Sequence, residues 1–463
     1  MSEPRDLKPS PDPAGSIPYL PTDLPPGVTV AWLCEVLWDA EARFGLLDWE
    51  VAGVKPWMAR RFAIFQWLAT ELTLIDEGPE EPPRAWPERL RYHARLLRGA
   101  VSKSPFRDTE KCDVLVFEGP RSGIVDGDRV CVHTHSLVSD LTQQGKRVRL
   151  LDSHLDGFHI KSPDPRRRFI DSIAIESGAR FRLSRWTPTD SDLRFLTTLE
   201  KHLTSALSIP VGLGWLLTPG VPRFKASYIP YRRLLQKLQP TEIFVVCAYS
   251  VLAPLVAAAK NLGIRVTEVQ HSVTSRYHMG YGYPGASARS IDYLPDRFLA
   301  WTRVGRYLAD LPCQVEAIAP PWTRSGLSPG TVKEERLMVV LSQPVIARRL
   351  AKALLDRSQQ LLPYRLVVKP HPAELADPRL RQVFEPLREL RNVTITESSD
   401  LRKLLSRAEY QVGVYSTALY EGIHLGCRTL LIPLPGIEHM SHLLPSGEAT
   451  LLDDFLVSEQ LTT

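Results

Sequence analysis

The sequence predicts an α/β protein with two doubly wound, Rossmann-like domains that face a common cleft and follow a helical N-terminal extension. Apolar residues recur at three- and four-residue intervals between residues 29 and 105. From residue 113 onward, short apolar runs alternate with amphipathic segments, a pattern typical of parallel sheets. The stretch at 320–335, rich in proline, glycine, serine and charge, divides this alternation into two series, as a linker would.

Composition limits the classes of protein to consider. The 463 residues are 44% hydrophobic and 24% charged, with a net charge of +5, and the basic residues are scattered along the chain. This length predicts two or three domains, and the scattered charge gives nucleic acid little support as a partner. No apolar run reaches the roughly 18 residues that a membrane span needs. The six cysteines are widely spaced without a CxxC pair, which is typical of reduced core thiols in a cytoplasmic protein.

The elements are predicted in chain order. MSEPRDLKPSPDPAGS lacks the apolar core of a signal peptide, so we expect a disordered leader followed by helices in AWLCEVLWDAEARFGLL, VKPWMARRFAIFQWLATELTLI and PERLRYHARLLRGAV. The first series of strands is DVLVFEG, RVRLLDS, IFVVCAYS, VTEVQHS, RFLAW and QVEAIAP, and the second is LMVVLSQ, YRLVVKP, NVTITES, YQVGVYS and TLLIPL. The predicted segments are a leader (1–28), a helical extension (29–110), an N-terminal domain (111–325) and a C-terminal domain (336–452).

Polar residues follow three strands of the second series. Doubly wound sheets bind ligands outside the carboxyl ends of their strands, so these residues are candidates for binding a nucleotide or phosphate. They are Ser342 and Gln343 after the first strand, Lys369, His371 and Pro372 after the second, and Tyr415, Ser416 and Thr417 after the fourth.

Ser416 lies where an N-cap belongs, ahead of the helix TALYEGIHLG. Its hydroxyl and the free N–H groups of the first turn would form an anion pocket, strengthened by the helix dipole. Glu421, further along this helix, is suited to accepting hydrogen bonds from a ribose diol; the alternative is a solvated surface glutamate.

VVKPHPAE, residues 367–374, ends an apolar strand in a lysine, two prolines and a histidine. Pro372 suits the first position of a helix because its missing N–H costs nothing there. His371 would then point into the crevice, near the anion pocket, where an imidazole could stabilise a leaving phosphate. The alternative is a surface turn in which His371 and Lys369 face water.

KPHPAE, followed by VYSTALYEGIHLGCRTLLI, resembles the nucleotide-binding half of bacterial GT-B-fold glycosyltransferases of capsule and surface-polysaccharide synthesis. The likeness is to sialyltransferase-like, Kdo-transferase-like and CDP-glycerol glycerophosphotransferase-like proteins. The resemblance implies that His371, Pro372, Ser416 and Thr417 hold the phosphate of a nucleotide-activated sugar, with cytidine nucleotides favoured, and less directly implicates Lys369 and Glu421. TEVQHSVTSRYHMGYGYP resembles the QHG-type stretch of related proteins, with Ser272 where glycine is usual.

Transfer also needs a base for the acceptor hydroxyl. Three candidates in the first series are His271 after VTEVQ, Glu118 after DVLVF, and Asp126 (with Asp128) in RSGIVDGDR. Each has a structural alternative, since DGD is typical of a turn and a histidine can simply orient a loop. We expect transfer without a metal or other cofactor, because neither DGD nor the histidine pair of VHTHSL, which would share one face of a strand, has further ligands at suitable spacing.

Arg121 could grip an acidic acceptor, and Tyr277 belongs to an aromatic cluster that could stack on a sugar or base or could pack a loop. The partners implied are a nucleotide-sugar donor and a glycan or glycolipid acceptor, at the cytoplasmic face of the membrane. Two other hypotheses stay open: a GT-B-fold nucleotide-sugar epimerase, and a non-catalytic binding or scaffold protein.

Overall fold

A computed structural model describes residues 24–76, 85–108, 110–119, 122–125, 128–154, 157–162, 164–285, 291–301, 310–320, 332–397 and 400–462. The predicted fold class is confirmed: a helical extension precedes two Rossmann-like domains, each built on a parallel sheet. Residues 1–23 of the predicted leader, and the predicted end of the N-terminal domain at residue 325, lie outside the described residues.

The N-terminal extension contains the three helices that its apolar periodicity predicts. They are α1 (Val30–Phe44), α2 (Pro56–Glu71) and α3 (Trp86–Ser102). Thr29 caps α1 by accepting a hydrogen bond from the N–H of Trp32 at 3.0 Å, and Gly45 ends that helix at φ 61°, a conformation that glycine adopts without strain. The apolar faces of α1 and α2 pack into the core of the N-terminal domain, so these two helices are part of that domain's core.

Seven strands among the described residues form the sheet of the N-terminal domain. Their order, β5-β4-β1-β6-β7-β8-β9, is that of a doubly wound fold, with its switch point between β1 and β6, and every pairing is parallel. The strands are β1 (Val114–Glu118), β4 (Val148–Asp152), β5 (Arg167–Phe169), β6 (Glu242–Val245), β7 (Arg265–Val269), β8 (Arg297–Trp301) and β9 (Gln314–Ile318), with a separate antiparallel hairpin of β2 (Ser122–Val125) and β3 (Asp128–Cys131). The helices are α4 (His135–Gln143), α5 (Asp171–Leu183), α6 (Asp190–Leu207), α7 (Val221–Leu238) and α8 (Ala253–Asn261).

The C-terminal domain has six described strands in the order β12-β11-β10-β13-β14-β15, again parallel and doubly wound. The strands are β10 (Glu334–Leu341), β11 (Arg365–Lys369), β12 (Val393–Ile395), β13 (Ala408–Gly413), β14 (Arg428–Leu431) and β15 (Ala449–Leu451). The helices are α9 (Ala347–Asp356), α10 (Pro372–Ala376), α11 (Pro378–Gln382), α12 (Leu401–Arg407), α13 (Thr417–His424) and α14 (Leu452–Thr462).

The carboxyl edges of the two sheets face each other. Ser275, in the segment after β7, lies with its Oγ 2.9 Å from Nδ1 of His439, in the segment after β14. Trp301, the last residue of β8, packs edge to face on Tyr420 of α13. The N–H of Asp76 donates to the carbonyl of Val345, just beyond β10, at 2.8 Å. The ligand-binding edges that such folds use therefore border one cleft.

Two local predictions differ from the structure. The pair His133 and His135 does not share a strand face, because His133 lies in a turn and His135 is the first residue of α4. No strand was predicted in RSGIVDGDR, yet Ser122–Val125 of this stretch pairs with Asp128–Cys131 as the antiparallel β2–β3 hairpin. No described helix combines the length and apolar character required to cross a bilayer.

A buried histidine between two aspartates predicts a pH-dependent stability. Nδ1 of His159 lies 3.2 Å from Asp152, Nε2 lies 3.0 Å from Asp171, and the ring stacks on Phe169 at 3.6 Å. Burial alone would lower the pKa of His159, but the two carboxylates outweigh it and raise the pKa to about 9 from its ordinary value of 6.5. The protonated form thus stabilises the fold fully below pH 6.5, and this contribution is lost as the pH rises through 9.

We expect the free energy of unfolding, measured by denaturant titration, to fall between pH 6.5 and pH 9 in the native protein and to fall less in His159→Gln. His93→Gln, which removes an exposed histidine on α3, should keep the native slope. An unchanged slope in His159→Gln would mean that the histidine is not charged in the folded state.

Candidate functional site

Three strand ends of the C-terminal sheet form one side of the candidate site. Leu341 at the end of β10 pairs with Lys369 of β11, and Val340 pairs with Val412 of β13. Because neighbouring strands lie roughly 4.8 Å apart, the residues after β11 and β13 are about 10 Å from each other across β10. This edge therefore brings His371 and Ser416 to the two sides of Ser342.

The corner after β11 is built as the proline and histidine predict. His371 is exposed, caps α10 with Nδ1 accepting from the N–H of Ala373 at 3.2 Å, and Pro372 is the first residue of that helix. Lys369 is nearly buried, and its Nζ donates to the carbonyl of Pro370 at 2.8 Å. Burial lowers the pKa of Lys369, which Glu374 partly opposes.

Glu374 holds this corner in place through hydrogen bonds, a role that was not predicted from the sequence. Its fully buried carboxylate accepts from Ser342 Oγ at 2.7 Å and from the N–H of His371. Burial raises the pKa of Glu374 to about 7, against the effect of these hydrogen bonds. Ser342, predicted to contact phosphate, thus holds the loop that carries His371, while Gln343 precedes the short 3₁₀ turn Pro344–Ile346.

The start of α13 has the predicted cap. Ser416 accepts from the N–H of Ala418 at 3.2 Å, and Thr417 is the first helical residue. Glu421 is ion-paired with Arg402 at 3.2 Å and its side chain is 17% exposed, which disfavours the solvated-glutamate alternative. Its role toward a ribose stays a prediction. Tyr415 lies against His439, with ring centroids 5.2 Å apart, and burial raises the pKa of its hydroxyl.

A cluster of titratable side chains at the end of β7 forms the other side of the cleft. Glu268 is buried and accepts from the hydroxyl of Tyr281 at 2.7 Å, and its Oε1 lies 4.0 Å from Nδ1 of His271. Burial raises the pKa of Glu268 to about 7. The His271 side chain is 20% exposed. A carboxylate thus lies behind an accessible imidazole at the strand end.

Aromatic and histidine side chains connect this cluster to the C-terminal domain. The His278 ring stacks on Phe62 at 4.6 Å and lies 6.2 Å from the ring of His439, while the hydroxyl of Tyr249 is 3.5 Å from His278 Nε2. Burial lowers the pKa of His278 well below its usual range and that of His439 to about 4, so both rings are neutral at pH 7.

Glu118 has a different environment from His271. Its two carboxylate oxygens accept from Thr134 Oγ1 at 3.1 Å and from the guanidinium of Arg167. Burial raises its pKa, and Arg167 opposes that shift. It lines a cavity of about 530 Å³ beside α4, yet its oxygens already have donors, which favours a structural role over that of the base.

Three predicted residues remain: two lie outside the described part of the chain, and the third packs against the helical extension. Arg121 and Asp126 lie outside the described residues, and so their roles stay predictions. Tyr277 is buried and stacks on Trp38 of α1 with ring centroids 6.2 Å apart, which favours the packed-loop alternative for this residue. Within the described ranges, no group of three or more His, Cys, Asp or Glu side chains is arranged to hold a metal ion.

No protein-family profile and no curated protein sequence matches this chain. Solved structures similar to it include UDP-GlcNAc 2-epimerase from Methanocaldococcus jannaschii, with 10% identity over 74% of this chain and 90% of that chain at a TM-score of 0.43. UDP-GlcNAc 2-epimerase from Neisseria meningitidis has 11% identity over 73% and 87%, at 0.40, and the glycotransferase of kitacinnamycin has 16% over 74% and 87%, at 0.39. Assignments for this chain therefore rest on its own topology and contacts.

Proposed function

We propose that this protein is a glycosyltransferase that binds a nucleotide-activated sugar between its two sheets and transfers the sugar to a glycan or glycolipid acceptor. The observation that carries the proposal is the opposition of two carboxyl edges, one with His371 and the capped start of α13, the other with the Glu268–His271 pair. A held leaving group and a base on opposite sides of one cleft are what group transfer requires.

On the donor side, the positive end of the α13 dipole, the hydroxyls of Ser416 and Thr417 and the exposed imidazole of His371 would bind the phosphate groups. The buried Glu374 accepts a hydrogen bond from the N–H of His371 and so holds the backbone of this residue in place. Less conformational entropy is then lost at His371 when the donor binds. The cytidine preference of the resembling families is part of this proposal, and a nucleotide panel tests it.

On the acceptor side, His271 would accept the proton of the attacking hydroxyl. Glu268 at 4.0 Å would stabilise the imidazolium that forms, since its pKa near 7 leaves a substantial ionised fraction at neutral pH. His278 and His439 are less suited to this step, because burial lowers the pKa of both rings and so disfavours the imidazolium that a base forms, and His439 already contacts Ser275.

A nucleotide-sugar epimerase is the second candidate, and the Glu268–His271 pair is the observation that favours it. Two groups able to exchange protons near neutral pH at one strand end could remove and return a proton at a sugar carbon. An epimerase would interconvert the nucleotide sugar without any acceptor, whereas a transferase would consume it only when an acceptor is present.

In a panel of CMP-, CDP-, UDP- and GDP-linked compounds, we expect the cytidine-linked compounds to raise the melting temperature of the native protein most. His371→Ala and Ser416→Ala should each weaken that binding by roughly tenfold or more, because each removes a hydrogen bond to a charged group. The measurement is the shift in melting temperature against nucleotide concentration.

His93→Ala, which removes an exposed histidine from α3, is the matched control and should bind like the native protein. If no nucleotide stabilises the protein, the scaffold hypothesis is favoured and the transferase proposal fails. If a nucleotide binds and the variants retain full affinity, the phosphate site lies elsewhere. Product analysis without acceptor then separates the epimerase from the transferase.

A further inference from the structure

A second cavity lies on the N-terminal domain, apart from the residues proposed for transfer. It has a volume of about 300 Å³ and lies between α2, α5, the π-helical turn Leu216–Gly220 and α7. Its walls are mostly apolar, formed by residues such as Val54, Pro56, Ala59, Phe181, Leu216 and Phe224. Two arginines, Arg60 and Arg223, complete the lining.

The two arginines supply positive charge that no carboxylate balances. In the described parts of the chain, neither Arg60 nor Arg223 forms an ion pair, and the guanidinium of Arg223 lies 4.9 Å from the ring centroid of Phe181. Burial lowers the pKa of Arg60, and the charge of Arg223 lowers it further. Two like charges held beside an apolar wall destabilise each other until an anion binds between them.

A hydroxyl and an apolar rim add to these charges. Oγ of Ser177, which lines the cavity, is buried and has no hydrogen-bond partner among the described residues. Val251, which lines the cavity, is 72% exposed, and Arg223 is exposed as well. An exposed apolar side chain beside arginines is typical of surfaces that rest on an anionic bilayer.

We propose that this cavity binds the phosphate headgroup of an anionic membrane lipid, with Arg60 and Arg223 on the phosphate and Val251 against the bilayer. Arginine suits this role because its planar fork can donate two hydrogen bonds to one phosphate. The apolar walls would accept the first carbons of the lipid chain, which a free phosphate lacks. This inference goes beyond the proposed transfer and does not depend on it, because it concerns binding alone.

The experiment is sedimentation of the full chain with phosphatidylcholine vesicles that contain or lack phosphatidic acid. We expect binding only when phosphatidic acid is present, and a loss of roughly tenfold or more in affinity for the double variant Arg60→Ala/Arg223→Ala. Val251→Asp, at an exposed position where folding should be unaffected, is expected to weaken binding as well.

The matched control is Arg194→Ala/Lys201→Ala, which removes the same charge from the exposed face of α6. Native-like binding by this control supports the cavity as the site. An equal loss in both double variants would show general electrostatic attraction and overturn the proposal. Inorganic phosphate is the second arm: if it stabilises the native protein against heat while phosphatidic acid vesicles do not bind, the cavity is a site for a soluble anion and the lipid proposal fails.

Discussion

Replacing His271 with alanine is expected to lower kcat for glycosyl transfer by roughly 10²- to 10⁴-fold, the usual contribution of a positioned general base. The imidazole is the accessible member of the cluster at the end of β7, and Glu268 lies 4.0 Å behind it. Because the donor phosphate would bind on the opposite domain, affinity for the nucleotide should change little. The measurement is kcat with the donor identified by thermal stabilisation, together with the donor's dissociation constant.

Glu268→Gln separates the role of the base from that of its carboxylate. Glutamine keeps the hydrogen bond with Tyr281 but cannot ionise, so kcat should fall less than in His271→Ala and the acidic limb of its pH profile should shift. His93→Ala on α3 should show native activity, since this residue is exposed and belongs to another surface. Native kcat in His271→Ala would place the base elsewhere and remove the pair from the mechanism.

The fold was predictable because the spacing of apolar residues along the sequence matches the side chains that are buried in each strand and helix. Strands such as β1, β6 and β11 are buried over most of their length and read as continuous apolar runs, and the helices of the extension repeat every three to four residues. Four described strands escaped prediction: β2 and β3 of the hairpin, and β5 and β15. The last two have three residues each, and each contains polar side chains: two arginines in β5 and a threonine in β15. Runs this short carry too little pattern to separate them from loops.

The two helix caps on the C-terminal side of the site were also predictable, because local rules determine them. A proline at the first helical position and a serine before an apolar helix specify caps from neighbouring residues alone. Glu268, His278 and His439 were not predicted, since their importance comes from contacts between segments far apart in the chain, such as Ser275 with His439. Burial raises the pKa of Glu268, and the burial of a single polar side chain at a strand end cannot be predicted from neighbouring residues.

Arg61 is another residue whose role depends on contacts with distant segments and was not predicted. Its replacement has the largest expected effect on stability. Nothing in ARRFAIF distinguishes it from Arg60, yet Arg61 is buried and donates to Glu41 at 2.6 and 2.9 Å. Its other hydrogen bonds reach the carbonyls of Met279 and Gly282, in the loop that follows His271. The extension therefore holds the loop of the proposed base through one guanidinium.

We expect Arg61→Ala to lower the free energy of unfolding by roughly 3–5 kcal/mol, because it leaves the carboxylate of Glu41 buried without its countercharge. The double variant Arg61→Met/Glu41→Leu should recover much of that loss, since an apolar pair can replace a buried ion pair. Denaturant titration followed by tryptophan fluorescence is a suitable measurement, because Trp57 donates to Glu41 at 2.7 Å.

Stability and activity should separate in these two variants. The double variant lacks a donor for the carbonyls of Met279 and Gly282, so its loop should stay displaced and its kcat low even where stability has returned. Arg91→Ala, at an exposed position on α3, should change the free energy of unfolding by no more than about 0.5 kcal/mol. A double variant with both native stability and native kcat would show that Arg61 only neutralises Glu41 and that the loop is held by its own packing.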